Sequence, residues 1–214
     1  MSAGKHVLYE KALAINADEG RETIGSARRN GRFRMEAIWS WFNPVWHKLR
    51  IRMAAGAIGE VISVDANFAI PLLDEKGRHR RPDLAGGALL DLGIYPLSIS
   101  RFLLGEPVEV KALGRSTHHG VDDFVGGVMR HRSGAVTTFT TSIDGAPDLA
   151  ARVVETDGIA VIPAPFWSPS EFSLTRYDES EPERIAAPNR GLALEVEHTM
   201  EQIPAEAKES HIQT

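Results

Sequence analysis

The apolar positions of this chain change period along its length, and the change divides it. His6–Leu8 is a short apolar run that predicts a buried strand. Asn16 followed by Glu19 forms a capping box, with Ile24 and Ala27 as a partial apolar stripe behind it. Asn30-Gly31 supplies a stop, since both residues tolerate a left-handed C-cap. A second apolar strand is predicted from Phe33 to Trp39, which completes one α/β unit. Asn43-Pro44 then opens a helix with proline at its first position, ending near Gly56.

From there the period falls to two. Ile62, Val64, Ala66, Phe68 and Ile70 alternate with Ser63, Asp65 and Asn67, the pattern of a strand with one buried face. A helix is predicted from Gly87 to Leu104, closed by Gly105 and Pro107, with a kink or restart at Pro96. Short strands follow at Val108–Leu113, Phe124–Met129 and Val136–Thr141, the last two joined across Arg132-Ser133-Gly134. Asp157-Gly158 suits a type I′ hairpin turn. Residues 163–190 contain Pro163, Pro165, Pro169, Pro182 and Pro188, which predicts mostly loop with a strand near Leu174. A last helix runs from Leu192 to Pro204. The order is an α/β piece, then a mainly antiparallel sheet with helices, with the boundary near Trp39. No internal repeat is visible.

At 214 residues, the chain corresponds to one domain or one and a half. Its 43% hydrophobic and 25% charged content is ordinary for a globular fold. The balance of 24 basic against 29 acidic residues gives a net charge of −5, which argues against nucleic acid or an anionic membrane as main partner. With 0 Cys, disulfides, thiolate metal sites and cysteine nucleophiles are excluded. The N-terminus has no apolar core like that of a signal peptide, and no window approaches 18 consecutive apolar residues. The expectation is a soluble, cytoplasmic protein. Both ends read as unfinished, since one β-α-β piece cannot make a doubly wound sheet.

Few residues carry chemistry. Glu10-Lys11 sits just beyond the first strand, where side chains of an α/β sheet enter the ligand crevice; alone, the pair reads equally as a solvated loop. Asp91 and Tyr95, four apart, fall on one helix face, and Asp91 lies in an apolar stretch where an unpaired carboxylate is costly. The alternative is a carboxylate capping the Gly-rich entry and a tyrosine packed in the core. His118-His119, if in a strand, face opposite sides and cannot jointly bind a metal, and no metal site is expected. Neither a Gly-x-Gly-x-x-Gly turn nor a Walker-type loop occurs. Trp39, Trp41, Phe42 and Trp46 form an aromatic cluster suited to a core, an interface or the face of a flat cofactor.

Taken together, Tyr9-Glu10-Lys11-Ala12, Met35-Glu36-Ala37-Ile38-Trp39, Gly56-Ala57-Ile58-Gly59-Glu60-Val61 and Gly86-Gly87-Ala88-Leu89-Leu90-Asp91-Leu92-Gly93-Ile94-Tyr95 resemble the Gfo/Idh/MocA oxidoreductases in order and spacing. The nearest branch is that of dimeric dihydrodiol dehydrogenases and related sugar dehydrogenases. The resemblance implies that residues 1–38 are the tail of a dinucleotide-binding Rossmann domain and residues 39–214 an α+β domain with a large open, mainly antiparallel sheet. It implies Lys11, Asp91 and Tyr95 as catalytic, Glu10, Lys11 and Trp39 as cofactor-binding, and NADP or NAD as cofactor. It further implies a sugar or cyclic diol substrate and a homodimer through the open sheet face. In this reading Lys11 lowers the Tyr95 pKa toward neutrality, and Asp91 orients Lys11 or a substrate hydroxyl. Two departures stand out: Ala12 replaces a proline, loosening the turn that fixes Lys11, and Trp41 replaces an arginine, losing a polar contact. The competing reading is a non-catalytic binding or assembly module. As written, the chain is expected to bind NAD(P) poorly and to turn nothing over.

Overall fold

Asn16 starts the first helix by its side chain: Oδ1 accepts from Glu19 N at 2.9 Å, and its amide donates to Glu19 Oε1 at 3.0 Å. The helix, α1 (Ala17–Asn30), closes on a left-handed Gly31 and returns the chain parallel to its start, so β1 (Val7–Glu10) pairs with β2 (Arg34–Ala37). The computed structural model describes all residues except 146, 204, 206, 208, 211, 213 and 214. The second strand is shorter than its apolar run suggested. Trp39–Phe42 forms a single 3-10 turn instead, because Asn43 must cap the next helix and Trp41 and Phe42 turn inward ahead of it. Asn43 Oδ1 accepts from Val45 N at 2.9 Å, and Pro44 opens α2 (Pro44–Ala54).

The second sheet has eight strands in the order β10-β9-β8-β7-β3-β6-β5-β4. Their ranges are β3 (Val61–Ala69), β4 (Pro107–Ser116), β5 (Asp122–His131), β6 (Val136–Ser142), β7 (Ala151–Glu155), β8 (Gly158–Ile162), β9 (Glu171–Arg176) and β10 (Glu183–Ala186). Every pairing is antiparallel except β3 with β6. The Pro-rich stretch thus carries two strands where one was expected; β10 is a largely exposed edge strand and so lacks an apolar signal. The β7–β8 turn also differs, with Thr156-Asp157 as its loop and Gly158 already in strand. Gly158 is needed for a close approach: a Cβ there would lie 2.4 Å from the Thr175 carbonyl oxygen. His118 and His119 lie in the turn between β4 and β5, not in a strand, and their ring centres are 3.9 Å apart with the planes tilted by 39°.

One sheet face is covered by α2 and by the helical run that ends in α3 (Ile94–Leu104). Val45, Trp46 and Leu49 of α2 and Ile99 of α3 are fully buried with Val64, Ala66 and Val153 of the sheet. Each of the larger side chains contributes roughly 1.5–3 kcal/mol by leaving water. The run Pro82–Leu104 is long and apolar enough by composition to cross a membrane, yet most of it is buried within this fold. The other sheet face is semi-polar. Thr138 donates to Asp65 and Thr140 to Asn67, both at 2.6 Å, while Phe124 and Val128 stand exposed. Thr137 and Thr141 instead point inward and are fully buried. The last helix, α4 (Ala193–Gln202), packs beside the Trp39–Phe42 turn.

Candidate active site

Lys11 follows β1 directly, at the carboxyl end of the strand. The chain beyond it is tied to β2, since Leu13 N donates to Glu36 Oε1 at 2.7 Å, and burial raises the Glu36 carboxyl above its ordinary value. The Lys11–Ala12 peptide bond is cis, and the Lys11 side chain reaches across the fold to the Asp91 carbonyl.

Asp91 lies in a π-helical turn, Leu89–Gly93, that runs straight into α3. Such turns recur at functional sites and accompany departures from regular helical bonding. The start of the turn is pinned to the sheet: Leu89 N donates to Asp122 Oδ2 at 2.7 Å, and Thr141 Oγ1 donates to the Ala88 carbonyl at 3.1 Å. Pro96 offers no N–H to the carbonyls four and five residues back, those of Leu92 and Asp91. The Asp91 carbonyl accepts from Lys11 Nζ at 2.6 Å. Pro96 falls in the first turn of α3, directly after the π-helical turn where regular helix resumes, and Asp91 and Tyr95 both face Lys11.

Lys11 Nζ also donates to Asp91 Oδ1 at 2.9 Å and stands 5.3 Å from the centre of the Tyr95 ring. Arg78 Nη2 donates to the same Oδ1 at 2.7 Å. Burial pushes the Asp91 carboxyl up, but hydrogen bonds and charge from Lys11 and Arg78 outweigh it and hold Asp91 below the usual carboxylate range. Trp39 Nε1 donates to the Tyr95 hydroxyl at 3.2 Å. Three groups predicted from the sequence, separated by up to 80 residues, thus meet around one tyrosine.

The Tyr95 phenol departs from expectation. Burial raises its pKa above the ordinary value of 10.0, the Trp39 hydrogen bond opposes this, and the carboxylates of Glu10, Asp91 and Glu195 add to the rise. Lys11 does not bring it toward neutrality, because its ammonium is taken by Asp91. Tyr95 is a neutral phenol at pH 7.

Around this centre stands an aromatic wall. Phe68 of β3 meets the Tyr95 ring at 5.2 Å, and Trp167 stacks on Phe68 at 3.8 Å with planes 10° apart. Trp41 faces away into the core, where its Nε1 donates to the Ser98 carbonyl at 3.0 Å and its ring meets Phe102. Glu10 is exposed, whereas Glu195 on α4 is 3% exposed with Oε2 meeting no donor among the described residues. Burial, reinforced by the charge of Glu10, pushes the Glu195 carboxyl up to about 7. Sequence reasoning missed Arg78, Phe68, Trp167 and Glu195 as site residues. Phe68 was legible only as an inward strand position, and Trp167 lies in the stretch read as loop. Among the described residues, no group of three or more His, Asp or Glu side chains could hold a metal ion.

This fold and cluster define a class. Residues 46–161 match the GFO/IDH/MocA C-terminal domain, and the chain belongs to the Gfo/Idh/MocA family. Its curated relatives include the trans-1,2-dihydrobenzene-1,2-diol dehydrogenase of Bos taurus, 36% identical over 99% of this chain and 66% of the relative. The same enzyme of Sus scrofa is 35% identical over 98% and 65%. The fold is shared with the aldose-aldose oxidoreductase of Caulobacter crescentus complexed with glycerol, at a TM-score of 0.88, 24% identity, and coverage of 99% of this chain and 65% of that one. It is shared too with a 3-ketoreductase from Actinomadura kijaniata in complex with NADP and TDP-benzene, at a TM-score of 0.88, 24% identity, and coverage of 96% and 65%. The chain therefore spans about two-thirds of the length of these proteins.

Proposed function

We propose that this chain carries the substrate-binding and proton-transfer half of an NAD(P)-dependent oxidoreductase acting on a hydroxyl of a cyclic diol or sugar. The observation that carries the reading is the convergence of Lys11, Asp91 and Trp39 on Tyr95 at the end of β1. The curated relatives at 36% and 35% identity, named as diol dehydrogenases, support the same class.

Tyr95, neutral and directed by Trp39, donates a hydrogen bond to the reacting oxygen of the substrate. In the direction of carbonyl reduction it is the acid that delivers the proton to that oxygen. In the direction of oxidation it must first lose its proton, so the rate in that direction rises with pH toward and past 10. Asp91 takes two of the three N–H groups of Lys11 and so fixes it, leaving the third to donate to a substrate oxygen. Trp167, half-buried and backed by the buried Phe68, offers a flat apolar face to the ring of a cyclic substrate.

The bound nicotinamide would accept or supply the hydride. The half-buried Trp39 ring and Lys11 suit the nicotinamide end, but the chain has no glycine-rich turn for the pyrophosphate. Two contacts do not overcome the several kcal/mol of lost rigid-body freedom, so these 214 residues alone bind NADPH weakly. The semi-polar sheet face, with Phe124 and Val128 exposed, suits a symmetric contact with a second copy.

The coding DNA ahead of Met1 separates the enzyme from a non-catalytic module. An in-frame glycine-rich strand–turn–helix supports the dehydrogenase, and unrelated sequence supports the module. NADPH fluorescence titration of the 214-residue chain adds a direct check: binding weaker than low micromolar is expected, and low-micromolar binding contradicts the account of the missing phosphate contacts.

A further inference from the structure

Asp91 is held in an uneven way. Lys11 and Arg78 both donate to Oδ1, at 2.9 and 2.7 Å, while Oδ2 accepts nothing from the described residues. Lys11 comes from the end of β1, but Arg78 comes from the connection between β3 and the π-helical turn, a segment with no strand of its own.

That segment is nevertheless fixed on two sides. The next arginine, Arg80, is 7% exposed and donates to Asp144 Oδ1 at 2.7 Å, beyond the end of β6. On the other side, Gly87 N donates to the His79 carbonyl and Gly86 N to the Arg81 carbonyl, both at 2.9 Å. A Cβ on Gly86 would lie 2.7–2.8 Å from the carbonyl oxygens of Arg78, His79 and Arg81. The glycine pair ahead of Asp91 thus lets the Arg78 backbone lie directly against the turn that carries Asp91.

We propose that Arg78 is a positioning residue: by sharing Oδ1 with Lys11 it fixes the Asp91 carboxylate and leaves Oδ2 open to accept the second hydroxyl of a vicinal diol. The claim deepens the dehydrogenase reading and rests on it for the identity of the ligand. The geometric part stands apart from it. Asp91, Lys11 and Arg78 together carry one net positive charge. Arg78 keeps more than half of its side-chain surface open, at 54%, so its replacement disturbs no core packing.

The test is a 13C NMR titration of the Asp91 carboxyl in the 214-residue chain, comparing wild type, Arg78→Met and Arg78→Lys. Circular dichroism of each variant reports whether it folds. Removing one of two cations at hydrogen-bond distance is expected to raise the Asp91 midpoint by about one pH unit, a tenfold change in proton affinity. Arg78→Lys, which restores a single charged donor, is expected to recover at least half of that change. A folded Arg78→Met chain with an unchanged Asp91 midpoint overturns the proposal. So does failure of Arg78→Lys to recover any of a shift that Arg78→Met produces, since the effect would then be packing rather than charge. None of these readings depends on turnover, so the positioning role and the dehydrogenase reading can fail separately.

Discussion

Glu155 is a carboxyl with no reason to be charged. The alternation of β7 places it on the core face with Ala151 and Val153; it is fully buried, and neither carboxylate oxygen meets a donor among the described residues. Burial pushes its pKa from the ordinary 4.5 up to about 7. Between these values the folded chain holds a proton that the unfolded chain releases. This contribution to stability is therefore complete below pH 4.5 and lost as pH rises through 7. At 1.36 kcal/mol per pH unit the gap is worth about 3 kcal/mol, and water entry and relaxation reduce it to about 1.5 kcal/mol. Glu155→Gln keeps the shape and removes the charge. It should match wild type at pH 4 and exceed it by about 1.5 kcal/mol at pH 8, roughly 0.6 M in the urea midpoint. His47 and His131, both held below their ordinary value chiefly by burial, act with the opposite sign in wild type and variant alike. The difference between the two proteins is therefore the quantity to read. Parallel curves from pH 4 to pH 8 would refute the reasoning, because the Glu155 carboxyl would then be solvated or paired in the fold.

Three further outcomes follow from the same geometry. Trp46→Ala, which empties a fully buried site between α2 and the sheet, should cost about 3–5 kcal/mol in urea unfolding. Lys11→Met should raise the Asp91 carboxyl midpoint by about one pH unit in a 13C titration, because the ion pair and the hydrogen bond to Oδ1 both go. Light scattering at tens of micromolar should give a dimer mass, and a dimer-disrupting charge at Val128 on the exposed sheet face should give a monomer.

Much of the fold was legible because its signals are local. The Asn16 cap, the Gly31 stop, Pro44 at a helix start and the period-two run of β3 each depend on neighbours within a few residues. The failures lie where a long-range partner decides. The apolar run through Trp39 leaves its strand because Asn43 must cap α2, and β10 has no apolar signature because an edge strand needs none. The site divides the same way. Lys11, Asp91 and Tyr95 stood out through motif order, but their electrostatics did not. The carboxylates of Glu10 and Glu195 come from β1 and α4, and only the folded chain sets them against Tyr95. Arg78 was invisible for a similar reason, since its role depends on the close approach that Gly86 permits.

The central claim is that Tyr95, held by Trp39 beside the Lys11–Asp91 pair, transfers the proton of a hydroxyl-oxidising reaction. Its most direct test is steady-state oxidation of a cyclic trans-diol with NADP+ by these 214 residues expressed in frame behind a glycine-rich nucleotide-binding half, wild type against Tyr95→Phe. Loss of the phenol should lower kcat by about a hundredfold or more with little change in KM, and the wild-type rate should climb with pH toward and past 10. Equal kcat in the two proteins, or a wild-type rate that levels off near neutrality, contradicts the account.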